Sequence, residues 1–271
     1  MPAANVFFKG RSVLITGGSS GIGFAAAKRL VQHGAAVTLI ARRAGPLDEA
    51  RDKLLAATPG ATVRTLALDI SDEAAVAEKV GAILKPQAVD TLINNAGVVM
   101  PGRFLELESR HFREMMDINY FGTVHMCRTV LPHLVKRGGG AVLNVSSMAG
   151  AIGIYGYTAY AASKFALVGF SEALRGEMWP HDVHVSVCLP PDTDTPQLAF
   201  ENQYKPKETK AIAGNVKTMT AEAVADTMLA GLANRQFEIV PGFDGQMTLA
   251  AARVAPWLAR WVVDSAQRKA K

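Results

Sequence analysis

A short apolar run at residues 11–16 passes directly into Thr16-Gly17-Gly18-Ser19-Ser20-Gly21-Ile22-Gly23, and a helical periodicity follows over residues 20–33. No other feature of the chain restricts its fold so strongly. A strand that ends in glycines and opens a helix turns backbone N–H groups and the positive end of the helix dipole toward one point, an arrangement suited to a pyrophosphate. A glycine-rich turn alone marks no more than a tight turn; its place behind a first strand is what gives it weight. The rest of the sequence repeats the alternation. Residues 35–40, 62–68, 90–94, 141–146, 183–189 and 237–240 read as strands, with helical patterns between them. This predicts a parallel sheet, doubly wound, with helices on both faces.

The punctuation agrees with that reading. Gly34 ends the first helix, Pro46 sits in the first turn of the next, and Ser71 is expected to cap a helix whose first turn holds Asp72 and Glu73. Two long helices are predicted, at about 109–136 and 158–178, with Gly138-Gly139-Gly140 breaking the first. Residues 190–218 read as a long loop with one short helix, placed as a substrate lid, and Thr220 caps another helix after it. Residues 246–268 read as a C-terminal helical extension. No repeat or interdomain linker is visible, and 271 residues with 49% apolar content fit one domain spanning 1–271.

Composition excludes more than it selects. The net charge is +5, but Lys and Arg are scattered apart from Arg42-Arg43 and the tail Arg268-Lys269-Ala270-Lys271, so no nucleic-acid stripe is present. Cys127 and Cys188 stand apart in apolar segments and read as buried thiols. His181 and His184 are close in sequence, but no third ligand is evident and no metal site is assigned. With no secretory signal and reduced thiols, the expected setting is cytoplasmic.

The second strand ends in Ile40-Ala41-Arg42-Arg43, where an enzyme using NAD would offer a carboxylate to the ribose hydroxyls. A guanidinium there pairs with a 2′-phosphate instead, which makes NADP(H) the expected cofactor. Asp69, at the end of the third strand, either bonds the adenine amino group or caps its own turn. Asn94-Asn95-Ala96-Gly97 closes the fourth strand with residues small enough for the backbone to approach a cofactor.

Tyr160-Ala161-Ala162-Ser163-Lys164 places Tyr160 and Lys164 at i and i+4, on one helix face. Ketone reduction needs a proton delivered to oxygen, and a neighbouring ammonium is expected to lower the tyrosine pKa toward neutrality. Tyr155 and Tyr157 are rivals, but neither has a lysine at i+4. Ser147 follows the fifth strand, where a hydroxyl can stabilise a developing oxyanion; alternation points Ser146 away. Asn119, a poor helix former inside a long helix, predicts a local backbone irregularity, with a purely structural buried amide as the other reading.

Together, Thr16–Gly23, Asn94–Gly97, Asn119, Ser147, Tyr160 and Lys164 resemble the short-chain dehydrogenase/reductase family in order and spacing. The resemblance implies a single-domain Rossmann fold. It casts Tyr160 as the acid/base, with Lys164 lowering its pKa and holding the nicotinamide ribose. Ser147 would orient the carbonyl, and Asn119 would anchor a water. The cofactor contacts would come from Gly17, Ser19, Ser20, Gly21, Ile22, Gly23, Arg42, Asp69, Asn95, Ala96 and Gly97, joined by Tyr160, Lys164, Pro190, Thr193 and Thr195. One departure is Pro191, which stands where the family usually has glycine. That segment, with Glu201-Asn202, Lys205-Pro206 and Glu208-Thr209, is similar to the branch of the family that reduces 3-ketodihydrosphingosine. The branch resemblance implies NADPH-driven reduction of a long-chain 3-keto sphingoid base. Broader carbonyl, steroid or xenobiotic reduction is the alternative, and an NADP-sensing regulator is the non-enzyme alternative. Met148, Ile152, Ile154 and Tyr155 are expected to line the substrate wall, with Asp192 and Asp194 meeting a polar head.

The family implies a homodimer or homotetramer through the two long helices. Eukaryotic relatives carry hydrophobic membrane segments, whereas no window here reaches 18 uninterrupted apolar residues. Met247, Ala251, Val254, Leu258 and Trp261 are instead expected on one helical face, with Arg253 and Arg260 opposite, as a peripheral membrane contact or a packing stripe.

Overall fold

The computed structural model describes residues 2–85, 88–213 and 218–268. Its strands are β1 (Ser12–Thr16), β2 (Ala36–Ala41), β3 (Val63–Ala67), β4 (Thr91–Asn94), β5 (Gly140–Val145), β6 (Val183–Cys188), β7 (Thr193–Asp194), β8 (Met219–Thr220) and β9 (Glu238–Ile239). Seven of them form one parallel sheet in the order β3-β2-β1-β4-β5-β6-β9, and β7 pairs with β8 beside it. The chain runs outward from β1 to β3, then returns past β1 to continue at β4. The reversal leaves a crevice at the C-terminal ends of β1 and β4, where open parallel sheets bind ligands.

The helices are α1 (Pro2–Phe8), α2 (Gly21–Gln32), α3 (Ala44–Ala57), α4 (Glu73–Leu84), α5 (Ser109–Met116), α6 (Gly122–Lys136), α7 (Thr158–Met178), α8 (Pro196–Tyr204), α9 (Lys207–Ala213), α10 (Ala221–Ala233), α11 (Phe243–Val254) and α12 (Pro256–Arg268). On one face of the sheet Val13, Ile15, Leu39 and Leu143 pack with Phe8, Leu30, Leu54 and Met228, from α1, α2, α3 and α10. On the other, Leu14, Ile40, Leu92 and Val142 pack with Val80, Val130, Leu134 and Leu174, from α4, α6 and α7. Val13, Leu14 and Ile15 thus alternate between faces, and because both faces are covered the strand is apolar throughout. An asparagine ladder crosses the second layer: Asn94 Nδ2 donates to Asn144 Oδ1 at 2.9 Å, and Asn144 Nδ2 to Ser171 Oγ at 2.9 Å.

Several local expectations change. Asp72, not Ser71, caps α4 by accepting from Ala75 N; Ser71 turns back to Asp69. The first long helix is interrupted by a π turn over Asp117–Phe121, which contains Asn119. The segment after β6 holds two helices, α8 and α9, rather than one, and the part of the expected 190–218 lid at 214–217 lies outside the described residues. Thr195 caps α8 and Thr220 caps α10. The C-terminal extension breaks at Ala255-Pro256, because proline cannot continue α11. The expected single stripe from Met247 to Trp261 is therefore split between two helices; the Leu258 side chain lies outside the described residues. Among the described residues no helix is long and apolar enough to cross a membrane. The sequence reading also missed α1, whose Phe8 is fully buried beneath the sheet.

Candidate active site

A cleft of about 360 Å³ opens at the C-terminal edge of β1, β4, β5 and β6. At one end the turn after β1 forms its floor. Gly17 has φ +67° and Gly21 φ +55°, conformations that a side chain would strain. A Cβ on Gly17 would lie 2.8 Å from Asn95 Nδ2, and one on Gly23 would lie 2.3 Å from the Gly17 carbonyl oxygen. The glycines therefore let the start of α2 press against the ends of β1 and β4. Thr16 Oγ1 accepts from the backbone N–H of Asn95 and of Ala96, and Asn95 Nδ2 donates back to the Thr16 and Gly17 carbonyls, which fixes the floor. Ser20 occupies the N-cap of α2 without a side-chain cap, so the first-turn N–H groups stay turned to the cleft. Gly17, Ser19, Ser20, Gly21, Ile22, Asn95, Ala96 and Gly97 line the cleft as expected. Gly23 does not; it sits behind the wall and serves close packing.

Arg42 also lines the cleft and forms no ion pair among the described residues. Asp69 faces it with its Oδ1 accepting from Ser71 N and Oγ. Burial works to raise the Asp69 pKa, but the bonds from Ser71 and the charge of Arg42 prevail and hold it low. Asp69 therefore caps its own turn, the second of its two readings, and also borders the cleft. The cradle fits a dinucleotide pyrophosphate, with a guanidinium at the outer ribose.

The other end of the cleft is built from α7 and the segment after β5. Tyr160 and Lys164 lie one turn apart in α7, 9% and 4% exposed. Lys164 Nζ donates to the Val145 carbonyl at 2.9 Å, and burial pushes its pKa down to about 8. A Cβ on Gly97 would come within 3.4 Å of that nitrogen, so the small residue after β4 gives the lysine its place in the wall. Ser147 lines the cleft, accepts from Ala149 N at 3.1 Å and is hydrogen-bonded to Tyr160. Ser146 turns its hydroxyl away, donating to the Lys164 carbonyl at 2.9 Å. The expected effect of Lys164 on Tyr160 is not found. Burial pushes the phenol up, the charge of Glu201 adds to this, and the bond with Ser147 only partly offsets them. The nearby ammonium is itself desolvated and held by a carbonyl, 5.7 Å from the Tyr160 ring centre.

Asn119 lies outside the cleft wall and is fully buried. Its Oδ1 accepts from Val98 N at 2.8 Å, and its Nδ2 donates to the Val98 carbonyl and to Ser163 Oγ. The side chain therefore clamps the strand-end loop to α7. The π turn is the irregularity that its presence in a helix predicted.

The substrate wall differs most from expectation. Met148, Ile154 and Asp192 line the cleft, but Ile152, Tyr155 and Asp194 do not. Tyr155 turns outward to Arg103, while its carbonyl accepts from Thr209 Oγ1 at 2.8 Å. Asp194 is exposed because the short strand β7 alternates it away from Thr193, which is buried. Pro190, Thr193 and Thr195, expected as cofactor contacts, line the same cleft. Tyr157, Gln197, Leu198 and Glu201 are among the lining residues that sequence reasoning did not place in the site. Tyr157 OH donates to Glu201 Oε2 at 2.6 Å, and its ring lies 5.6 Å from that of Tyr160. Glu201 and Lys205, quoted only as part of a resemblance, had an i,i+4 spacing that could have flagged them as a pair.

Comparison with known proteins agrees with this geometry. A family model described as short chain dehydrogenase matches residues 11–206. A Danio rerio protein named 3-dehydrosphinganine reductase is 41% identical over 242 residues, 88% of this chain and 73% of that protein. A Bos taurus protein named 3-ketodihydrosphingosine reductase is 40% identical over the same shares of each chain. Among solved structures, levodione reductase superposes with a TM-score of 0.81 at 28% identity, covering 90% of this chain and 99% of its own. A short-chain dehydrogenase from Sphingobium yanoikuyae, solved with NADPH, superposes with a TM-score of 0.78 at 28% identity, covering 94% and 95%. The β1–α2 cradle, the Ser147, Tyr160 and Lys164 grouping, and a family match over most of the sequence agree, and the chain belongs to the short-chain dehydrogenase/reductase family of oxidoreductases.

Proposed function

We propose that this chain reduces the ketone of a long-chain 3-keto sphingoid base, 3-ketodihydrosphingosine, to the secondary alcohol dihydrosphingosine, using NADPH. The observation that carries the reading is the cleft itself. A dinucleotide cradle with a free guanidinium at one end leads to Ser147 and Tyr160, and beyond them to a wall that is apolar at Met148, Ile154 and Leu198 and acidic at Asp192 and Glu201. The names of the relatives from Danio rerio and Bos taurus support the same substrate.

The bound nicotinamide supplies the hydride. The protein supplies the proton and the orientation. Tyr160 is a protonated phenol across the neutral range, the form a reduction requires, and gives its proton to the carbonyl oxygen. Ser147 bonds the same oxygen as charge develops on it, and its bond to Tyr160 favours the phenolate left behind. Lys164, poised near neutrality and 5.7 Å from the Tyr160 ring centre, faces the Gly97 side of the cleft, where it would hold the ribose of the cofactor. Residues from Pro190 through α8 and α9 act as the lid.

Two further assignments belong to this reading. The protein is a homodimer or homotetramer joined through the long helices, where Phe121 and Phe165 each remain 44% exposed. It is a cytoplasmic protein that works against a lipid surface through α11 and α12. There Phe243, Val254, Trp257 and Trp261 are exposed beside Arg253 and Arg260, and α12 packs on the lid helix α9. The test is NADPH oxidation with 3-ketodihydrosphingosine, short 3-ketones and steroids. The expected result is a kcat/KM that rises with chain length, since each buried CH₂ contributes roughly 0.8 kcal/mol. A flat response with steroids preferred would overturn the sphingoid assignment and leave the reductase.

A further inference from the structure

A buried charge network lies in the substrate wall that the proton-transfer chemistry does not use. Glu201, on the inner face of α8, is 8% exposed, and Lys205 is 5% exposed. Lys205 Nζ pairs with Asp192 Oδ2 at 3.2 Å and with Glu201 Oε2 at 3.8 Å. Tyr157 donates to Glu201 Oε2, and Gln197 Nε2 donates to Oε1 at a long 3.4 Å. Both carboxylates line the cleft, whereas Lys205 does not. Among the described residues Lys205 is the one cation paired with either acid, so two negative charges face one positive charge. A carboxylate offers about four acceptor positions, and the partners of Glu201 do not fill them all on a residue that lines the cleft. Burial raises its pKa and the charge of Asp192 adds to this, while the bond from Tyr157 and the charge of Lys205 work against them. The field of both acids reaches Tyr160.

We infer that Glu201, supported by Asp192, is the specificity-determining counter-charge for a protonated amine on the carbon next to the carbonyl being reduced. This rests on the reductase reading above and narrows its substrate to α-amino ketones. A carbonyl oxygen bonded by Tyr160 and Ser147 would put the amine of an α-amino ketone one carbon away, in a cleft whose wall includes Glu201. Glu201 is held by Tyr157, whose ring lies 5.6 Å from that of Tyr160. Primary amines of this kind are ammonium ions at neutral pH, and a cation entering this wall balances the network that Lys205 leaves one charge short. Gln197 and Tyr157 fix the carboxylate in place, so little ordering remains to be done on binding.

The experiment compares α-amino ketones with their α-hydroxy isosteres at two chain lengths: 3-ketodihydrosphingosine against the matching 2-hydroxy compound, and 3-amino-2-butanone against 3-hydroxy-2-butanone. Long against short tests the proposed substrate; amine against hydroxyl within each length tests this inference. The expected result is an amine preference in kcat/KM of at least tenfold in one or both pairs, cut at least tenfold by Glu201→Gln. Asp194→Asn, exposed and outside the cleft, should leave the ratio intact. If Glu201→Gln turns over too slowly, the same ratio is read from binding of the amino and hydroxy alcohols to the NADP-loaded enzyme. If that variant does not bind NADP, Glu201→Asp replaces it and must keep the preference. No amine preference in either pair of the unmodified enzyme overturns the inference. So does a preference that survives Glu201→Gln, or one that Asp194→Asn erodes equally.

Discussion

Lys164 is a cation held where water does not reach, and its position can be tested through stability as well as turnover. Its folded pKa is about 8, below the 10.5 of an exposed lysine. Between those values the folded chain holds fewer protons than the unfolded one, so stability rises with pH through that window and the charged form is destabilising below it. A shift of that size corresponds to roughly 3 kcal/mol, against which the bond to the Val145 carbonyl contributes about 1 kcal/mol. Lys164→Met should therefore abolish turnover yet raise Tm by a few degrees at pH 7, and the gain should vanish by about pH 10. Thermal melts at the two pH values decide; a pH-independent difference counts against it. Tyr160 makes the complementary prediction. Tyr160→Phe keeps the buried ring and loses the proton, so kcat should fall by about 10²–10⁴ while the NADPH dissociation constant, read by fluorescence titration, changes less than about threefold. At the outer end of the cleft, Arg42→Ala should weaken NADPH by roughly 1.5–3 kcal/mol, about ten- to a hundredfold, and leave NADH binding unchanged. Equal losses for both cofactors would show that Arg42 does not meet the 2′-phosphate.

Among the elements, the interrupted helix α5–α6 shows how a local misfit serves a distant site. Asn119 widens one turn, and three hydrogen bonds from its side chain reach Val98 and Ser163. Val98 borders the cleft and Ser163 precedes Lys164, so one residue ties the end of β4 to α7. Asn119→Ala leaves buried partners unpaired, each costing about 1–3 kcal/mol. Denaturant unfolding should show a loss of roughly 2–4 kcal/mol, accompanied by a lower kcat in the remaining folded enzyme. A stable variant of normal activity would mean that the clamp is dispensable. The lid is the other element of consequence. α8 starts at a Thr195 cap beside Gly21, where an added Cβ would lie 3.1 Å from the Thr195 methyl, so the start of α8 leaves no room for a side chain in the turn after β1.

Across the whole molecule, the sheet order places every reacting side chain at one edge. β1 and β4 are neighbours in the sheet though far apart in sequence, and β5 and β6 continue the same edge with Ser147 and Pro190. Phe121, in the π turn, and Phe165, in α7, are large apolar side chains that remain exposed. Large exposed apolar side chains on adjoining helices favour self-association. Sedimentation at micromolar concentration should give a dimer or larger species, and Phe165→Glu should shift it toward monomer while NADPH binding persists. A monomeric unmodified protein would remove the oligomer from the proposal.

Much of this was open to reading from the sequence because it depends on near neighbours. The positive φ of Gly17, the cap that ends α2 at Gly34, the strand alternation and the i,i+4 pairing of Tyr160 with Lys164 all arise from rules that act within a few residues. So did the prediction of irregular backbone at Asn119, where propensity and pattern disagreed. What only the tertiary structure decided is which side chains face one another across long separations. Tyr157 and Glu201 are 44 residues apart, and no local rule pairs them. Nothing in the spacing distinguished Tyr157, turned inward, from Tyr155, turned to Arg103, or Asp192 from Asp194. The direction of the Tyr160 shift was likewise hidden. The sequence shows a lysine one turn away, but burial and the charge of Glu201 come from the folded surroundings, and a field inside a protein is set by everything packed around the group.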